Sequence, residues 1–411
     1  MSFVERLTGV DARRQGPMFL VGIGHGGTHW VGATFYLLLP FLAPELGLGY
    51  AEIGLLAAVY HASSFAANFV SGLVVDITGR RALFQVLSLA IGGLALGGFG
   101  GGGHVLWLML LVALIGAASN LWHPAAISYI SQNFPKNRGY ALSIHALGAN
   151  AGDALAPIVA GLLLTWLTWQ STAMVTAVPV LLLALLLAVL LMPRERRDAD
   201  APRHGMAWRA YWAGLACVVR NRAVLGLCLM AAFRTMTQSG LRAFLPLYLA
   251  NVIGLGPLWL GLALSALQLG GIVATPLAGV WSDRKGRRPV VLAGLTAATV
   301  IIVALTFVGG MLFIAGTALL GFALYAIRPV VHGWMMDLTP PSLGGSATSL
   351  MFGSQALLAV LAPAVGGAIA EAWGLQAVFY FLAASMLAAN FLVYLLPDGN
   401  ATATELPASA D

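Results

Sequence analysis

The chain has 411 residues, of which 59% are hydrophobic and only 9% charged, whereas a soluble domain carries about 25% charged residues. That balance excludes a soluble globular protein and predicts a polytopic membrane protein. The net charge of +6 comes from basic residues flanking apolar segments, with no interleaved aromatics, so nucleic acid is not an expected partner.

Residues 1–16 are polar and carry no cleavable signal-peptide pattern; a full-length apolar run follows. Proline, glycine and charge punctuation then divides the chain into twelve apolar segments, near 17–43, 50–75, 82–103, 105–134, 139–166, 171–192, 223–250, 257–281, 289–309, 311–337, 344–371 and 375–396. Each reaches the roughly 20 residues that a membrane-spanning helix needs. The longest polar stretch, 193–222, separates segment 6 from segment 7 and reads as a linker. The expected organisation is therefore a bundle over 1–192, a linker over 193–222, a second bundle over 223–396 and a polar tail over 397–411.

Orientation follows from the basic residues. With a cytoplasmic N-terminus, every Lys and Arg outside the apolar segments falls on one side, among them Arg80, Arg81, Lys136, Arg138 and the linker arginines. Only Arg234, Arg242 and Arg328 lie within segments. The positive-inside rule thus puts both termini in the cytoplasm; the expected location is the cell membrane, as a bacterial inner-membrane protein. Cys217 and Cys228 form no disulfide framework and read as small apolar residues.

The pattern Gly-x-x-x-Asp-x-x-Gly-Arg-Arg occurs twice. One copy is Gly72, Asp76, Gly79, Arg80 and Arg81, between segments 2 and 3. The other is Gly279, Asp283, Gly286, Arg287 and Arg288, between segments 8 and 9. The offset from Asp76 to Asp283 is 283 − 76 = 207 residues, about half the chain. Gly54 and His61 match Gly261 and Gln268 at the same offset, and Trp122-His123-Pro124 lies opposite Ile327-Arg328-Pro329 at 205. Gly148, Asn150 and Pro157 echo Gly353, Gln355 and Pro363. Six spans return the second half to the orientation of the first, so these are parallel repeats.

The doubled hinge, the duplication and the span count resemble the major facilitator superfamily over the whole chain. The resemblance implies twelve helices in two pseudo-symmetric six-helix bundles around a central cavity. Helices 1, 4, 7 and 10 would line it and 3, 6, 9 and 12 would face lipid. It also implies that the hinge carboxylates and arginines brace one end of the molecule until the cytoplasmic side opens. A narrower resemblance, to the fosmidomycin-resistance-like efflux branch, lies in His25, in the Leu-Trp-His-Pro-Ala-Ala run at 121–126, and in Gly-Ala-Asn-Ala-Gly-Asp-Ala-Leu-Ala-Pro at 148–157. Two positions depart from that branch. Ala125 stands where it usually has a Glu, and His29 stands near its segment-1 Asp. Its proton-coupling chemistry therefore does not transfer directly.

An ionisable side chain at the middle of a bilayer-spanning helix costs about 2.5–3.5 kcal/mol on insertion scales, so each one present demands a reason. Here they are His25, His29, His61, His123, His145, Asp153, Arg234, Arg242, Arg328 and His332. Segments 3, 6, 9 and 12 have none. His25 and His29 share a helical face, as do Arg328 and His332, and Arg234, Gln238 and Arg242 form a stripe. Guanidinium groups attract anions, because their fork matches a carboxylate or phosphate. The first half offers groups that change protonation state: His25, His29, His123 and Asp153. Each histidine also has a bland reading as a helix–helix hydrogen bonder, and Asp153 reads equally as a structural partner of an arginine or as a proton carrier. For His123, the carbonyl freed by Pro124 one turn earlier is a further candidate partner.

Gly22-x-Gly24-x-x-Gly27 satisfies a dinucleotide fingerprint by letter, but no strand precedes it and it lies within an apolar helix. Close helix packing explains it. No Walker motif, no nucleophile–base pair and no metal-ligand cluster with acidic support is visible, so ATP, enzymatic activity, cofactor and metal are not expected. The sequence predicts a monomeric, proton-coupled secondary transporter of a small organic, anionic compound working by alternating access. Efflux by proton antiport leads, uptake of a carboxylate by proton symport is the alternative, and a non-transporting membrane sensor is a remote third.

Overall fold

The computed structural model describes residues 12–102, 104–195, 216, 219–339 and 343–396. Most of the 193–222 linker, Cys217 and the tail beyond 396 lie outside the described residues. Within them are twelve long helices: α1 (Ala12–Glu45), α2 (Tyr50–Thr78), α3 (Arg81–Gly98), α4 (Val105–Asn133), α5 (Arg138–Leu163), α6 (Trp169–Leu190), α7 (Arg222–Asn251), α8 (Pro257–Lys285), α9 (Arg287–Leu305), α10 (Gly310–Asp337), α11 (Gly344–Trp373) and α12 (Leu375–Tyr394). A single helical turn, Met192–Glu195, follows α6. Each predicted segment falls on one helix, with ends shifted by a few residues. Helices are the expected solution, because lipid offers the backbone no hydrogen-bond partners.

Ten of the twelve are long and apolar enough to cross a membrane. The two that fall short are α1 and α7, which carry His25, His29, Arg234 and Arg242. Their polar residues lower the apolar average, and both have the length of a span. Large apolar side chains are exposed on the helices expected to face lipid: Leu94 on α3, Leu182 on α6, Val300 on α9 and Leu387 on α12. This is a multi-pass, all-α membrane protein.

The chain resolves into two compact units. One holds α1–α6 together with Leu249–Ser265; the other holds the rest of α7 and α8 with α9–α12. Within each unit the helices approach at glycines, and the approach repeats. In the first, a Cβ on Gly116 of α4 would collide with the carbonyl of Tyr60 on α2; in the second, a Cβ on Gly321 of α10 would collide with that of Leu267 on α8. These are the offsets, 205 and 207, at which the sequence repeats.

The tightest crossing in the first unit joins α1 to α5. Gly22 and Gly26 on α1 face Gly148 and Gly152 on α5, each set one turn apart. A Cβ on Gly148 would overlap the Gly22 carbonyl, and one on Gly152 the Gly26 carbonyl. Two small-x-x-x-small faces thus lie backbone to backbone, as close packing in lipid requires. Gly353, the sequence echo of Gly148, has open space where a Cβ would stand. The repeat in letters is not a repeat in packing there.

Candidate functional site

The α1–α5 crossing brings the polar residues of the first unit together. His25 and His29 project from α1 one turn apart, and His145 and Asp153 from α5. Across the contact, His25 Nδ1 bonds the His145 carbonyl at 2.8 Å and His29 Nδ1 bonds Asp153 Oδ2 at 2.9 Å. The His25 and His145 rings stack with centroids 3.7 Å apart. α4 closes the third side: Trp122, fully buried, donates from Nε1 to His145 Nε2 at 3.1 Å. His123 presents its ring edge-on to His25, with centroids 5.0 Å apart. His25 and Asp153 are buried, and His29 and His123 are half-buried. Gly24 is the space that Trp122 needs, since a Cβ there would strike the indole.

Four residues assigned to this half by sequence, His25, His29, His123 and Asp153, therefore meet in one cluster. Asp153 is bonded by His29. His145, read from sequence mainly as a structural hydrogen bonder, is central: it stacks on one side and fixes an indole on the other. The carbonyl that Pro124 frees, that of Asn120, accepts from Ser71 Oγ at 3.4 Å, while His123 Nδ1 bonds Ser119 O at 3.1 Å. His61 lies apart, 3.2 Å from Tyr36 OH through Nε2.

In the second unit, Arg234 of α7 is 3% exposed. Among the described residues its guanidinium makes one hydrogen bond, a long one of 3.5 Å to Leu324 O on α10, and no ion pair. Arg328 and His332 of α10 are close enough to act on it electrostatically. Arg328 is exposed, and His332 is half-buried with its ring 5.4 Å from that of Phe352. Gln238 and Arg242 are half-buried along the same α7 stripe. Sequence reasoning missed the Thr235–Gln355 bond (2.9 Å), which ties α7 to α11 beside the stripe.

Both hinge motifs place a glycine at positive φ, but in different conformations: Gly79 is left-handed helical (ψ 5°) and Gly286 extended (ψ 158°). Gly79 caps α2 at φ 67°, and Gly286 links α8 to α9 at φ 89°, a region that favours glycine. Gly72 and Gly279 have no atom within 4 Å of a notional Cβ. In the second copy, Arg287 bonds Asp283, Ser282 Oγ (2.8 Å) and Asp337 Oδ2 (3.0 Å), and Arg288 bonds Tyr394 O (3.0 Å). In the first, Arg81 bonds Ser128 Oγ (2.6 Å) and the Gly79 carbonyl (3.3 Å), and Arg80 is exposed. The side chain of Asp76 lies outside the described residues. Asp337 was legible only as a charge ending segment 10; here it is the second carboxylate on Arg287.

Next to the first hinge, Glu195 Oε1 accepts from the backbone N–H of Ala82, at 2.8 Å, in the opening turn of α3. Burial pushes its carboxyl pKa up from the usual value, against the pull of backbone N–H groups and Arg81.

Twelve long helices, ten of them apolar enough to cross a membrane, a hinge motif repeated in each half, and ionisable side chains on α1, α4 and α5 in one unit and on α7 and α10 in the other point to a membrane transporter. The chain belongs to the Major Facilitator Superfamily, whose family signature matches residues 19–274 and 227–410. It is 27% identical over 362 residues to a multi-drug resistance efflux pump PmrA homolog of Lactococcus lactis subsp. lactis, covering 84% of this chain and 86% of that one. It is 22% identical over 391 residues to the fosmidomycin resistance protein of Escherichia coli, covering 92% of each. Among solved structures it resembles a bacterial homolog of the human lysosomal transporter Spinster, in an inward-facing and occupied conformation. The TM-score is 0.80 at 16% identity, covering 94% of this chain and 97% of that one. Such a protein is a transporter and not an enzyme.

Proposed function

We propose that this protein exports a small organic anion from the cytoplasm in exchange for protons, as a monomer working by alternating access, with both termini cytoplasmic. The observation that carries the anion is Arg234. A guanidinium cannot shed its proton, and burying a charge is costly unless it is paired. A 3%-exposed arginine with one long carbonyl bond and no ion pair among the described residues is therefore incomplete until an anion arrives. A carboxylate or phosphate satisfies its fork, with Gln238, Arg242, Arg328 and His332 nearby on α7 and α10. Titratable groups in the first unit, Asp153 with His25, His29 and His123, are the natural carriers for the counter-flowing proton. Efflux is favoured over uptake by the similarity to a multi-drug resistance efflux pump PmrA homolog and the fosmidomycin resistance protein.

The test uses purified protein in proteoliposomes with an imposed pH gradient and a panel of radiolabelled organic anions. At least one anion should move against its gradient, opposite to the protons. Arg234→Ala should lose binding of that anion by roughly 10–100-fold, the worth of about 1.5–3 kcal/mol for a hydrogen bond to a charged group. Arg234→Lys should be impaired as well, since an ammonium cannot make the bidentate contact. Asp153→Asn should retain binding and counterflow exchange but no longer accumulate substrate from a pH gradient. Normal affinity in Arg234→Ala would sink the anion site. Movement of anion and protons in the same direction would make the protein a symporter.

A further inference from the structure

The histidine cluster has a property that proton carriage does not require. The Nδ1 atoms of three of its four histidines, His25, His29 and His123, are each committed to a pure acceptor. His25 Nδ1 faces the His145 carbonyl (2.8 Å), His123 Nδ1 the Ser119 carbonyl (3.1 Å), and His29 Nδ1 the Asp153 carboxylate (2.9 Å). A carbonyl or carboxylate oxygen only accepts, so in the neutral ring Nδ1 must carry the hydrogen and Nε2 the lone pair. Three imidazoles are thus held in one tautomer, with the lone pair on Nε2. The ligand nitrogens of His25, His29 and His123 all lie within 4.8 Å of one another. The Nε2 of His25, on a side chain 5% exposed, has no hydrogen-bond partner among the described residues. Leaving such a buried acceptor orphaned is destabilising, and one ring nitrogen each of His29 and His123 lies within 4.8 Å of a His25 ring nitrogen.

We infer that His25, His29 and His123 form a binding site for a divalent transition-metal ion of the Zn2+ type. The donor set is three neutral imidazoles with no carboxylate in contact with the ion, which suits Zn2+, Cu2+, Ni2+ or Co2+ and disfavours Mg2+ and Ca2+. The surroundings fit as well. Ligating histidines almost always donate their other ring N–H to a carboxylate or backbone carbonyl, and here one donates to Asp153 and two to carbonyls. Tetrahedral Zn2+ at about 2.1 Å from each nitrogen sets neighbouring nitrogens roughly 3.4 Å apart, so the rings would draw in by at most about 1.4 Å. His29 and His123 are half-buried, which leaves the ion an approach and a fourth position open to an exchangeable ligand. Metal and proton would compete for the same Nε2 atoms. The inference concerns the first unit alone. It does not depend on the anion-export proposal, whose assay can fail while this one succeeds.

The test is isothermal titration of the purified full chain, carrying no polyhistidine tag, with Zn2+ and separately with Mg2+. One Zn2+ per chain should bind saturably, and Mg2+ should not. His25→Ala and His123→Ala should each weaken Zn2+ binding at least tenfold. Asp153→Asn should weaken it by about 10–100-fold while keeping the stoichiometry at one, because it removes an orienting partner and not a ligand. His104→Ala, on an exposed helix-capping residue, should change nothing. Gel-filtration profile and melting temperature establish that each variant is folded; if His25→Ala is not, the half-buried His123 carries the test with His123→Gln. Two results overturn the inference: no saturable Zn2+ binding to the folded wild type, or binding undiminished in the folded His123 variants.

Discussion

Gly148→Ala adds a single methyl group at the point where α5 touches α1, and the structure sets its consequences. That methyl would overlap the Gly22 carbonyl. Restoring a contact near 3.5 Å requires the helices to retreat by roughly 1–2 Å. The same retreat acts one to two turns along, where His29 Nδ1 and Asp153 Oδ2 stand 2.9 Å apart, and stretches that bond past the range in which it is a hydrogen bond. Overpacking costs about 1–3 kcal/mol, and loss of a hydrogen bond to a charged group about 1.5–3 kcal/mol. The retreat relieves part of the first term, and replacing a mid-helix glycine returns about 0.5–1 kcal/mol. A net destabilisation of about 2–4 kcal/mol is expected. Thermal unfolding of the detergent-solubilised protein should show it as a fall on the order of 5–10 °C. Gly139→Ala, on the same helix with no atom within 4 Å of its notional Cβ, should leave the midpoint unchanged or slightly raised. A double-mutant cycle sharpens the test. Once Gly148→Ala has broken the bond, Asp153→Asn should add little, giving a coupling of about 1–3 kcal/mol. Equal midpoints for the two glycine variants, or strict additivity with Asp153→Asn, would refute the crossing as what seats the cluster.

Two further outcomes follow at the hinges. Arg287→Ala removes the bonds to Asp283, Ser282 and Asp337. Both carboxylates are well exposed, so stability should change by less than about 1 kcal/mol, while turnover slows and substrate affinity holds; transport kinetics beside equilibrium binding separate these, and a pure affinity defect would remove the gate assignment. Glu195 has a folded-state pKa raised by burial above its usual 4.5. The folded protein therefore binds that proton more readily than the unfolded chain, and this group's contribution to stability falls as pH rises from about 4.5 through the raised value. Glu195→Gln keeps an oxygen for the Ala82 N–H, so it should not destabilise the protein at neutral pH and should flatten the melting-temperature profile over that window; an unchanged profile would contradict the assignment.

Helix positions were legible because each span needs its own apolar run, and punctuation marks the ends. The hinge glycines were legible because positive φ at Gly79 and Gly286 leaves a letter in the sequence. Partnerships were not. His29 and Asp153 are 124 residues apart, and nothing in helical periodicity states which helix faces which. A signal did exist: Gly22/Gly26 and Gly148/Gly152 each mark a face where a neighbouring backbone must come close, and pairing them would have brought His25 to His145 and His29 to Asp153. Alone it is ambiguous, because small-x-x-x-small faces occur on several segments. The acidic support missing for a metal site was likewise present in the letters, as Asp153, but four helices away. Glu195 and Asp337 are ordinary polar termini until the fold sets Ala82 and Arg287 beside them.

α1 and α7 are the two long helices that fall short of the apolar threshold for a span, and each precedes the other five helices of its half in the chain. Insertion strength depends on how apolar a segment is when it meets the membrane, so each half begins with the helix that enters least readily on its own. The groups that match the α1 histidines belong to α5, made more than a hundred residues later. Until then His25 and His29 have no partner from that helix, so membrane integration of α1 should depend on the later arrival of α5. Substitutions at the crossing would appear in cells first as lost abundance and only afterwards as altered transport.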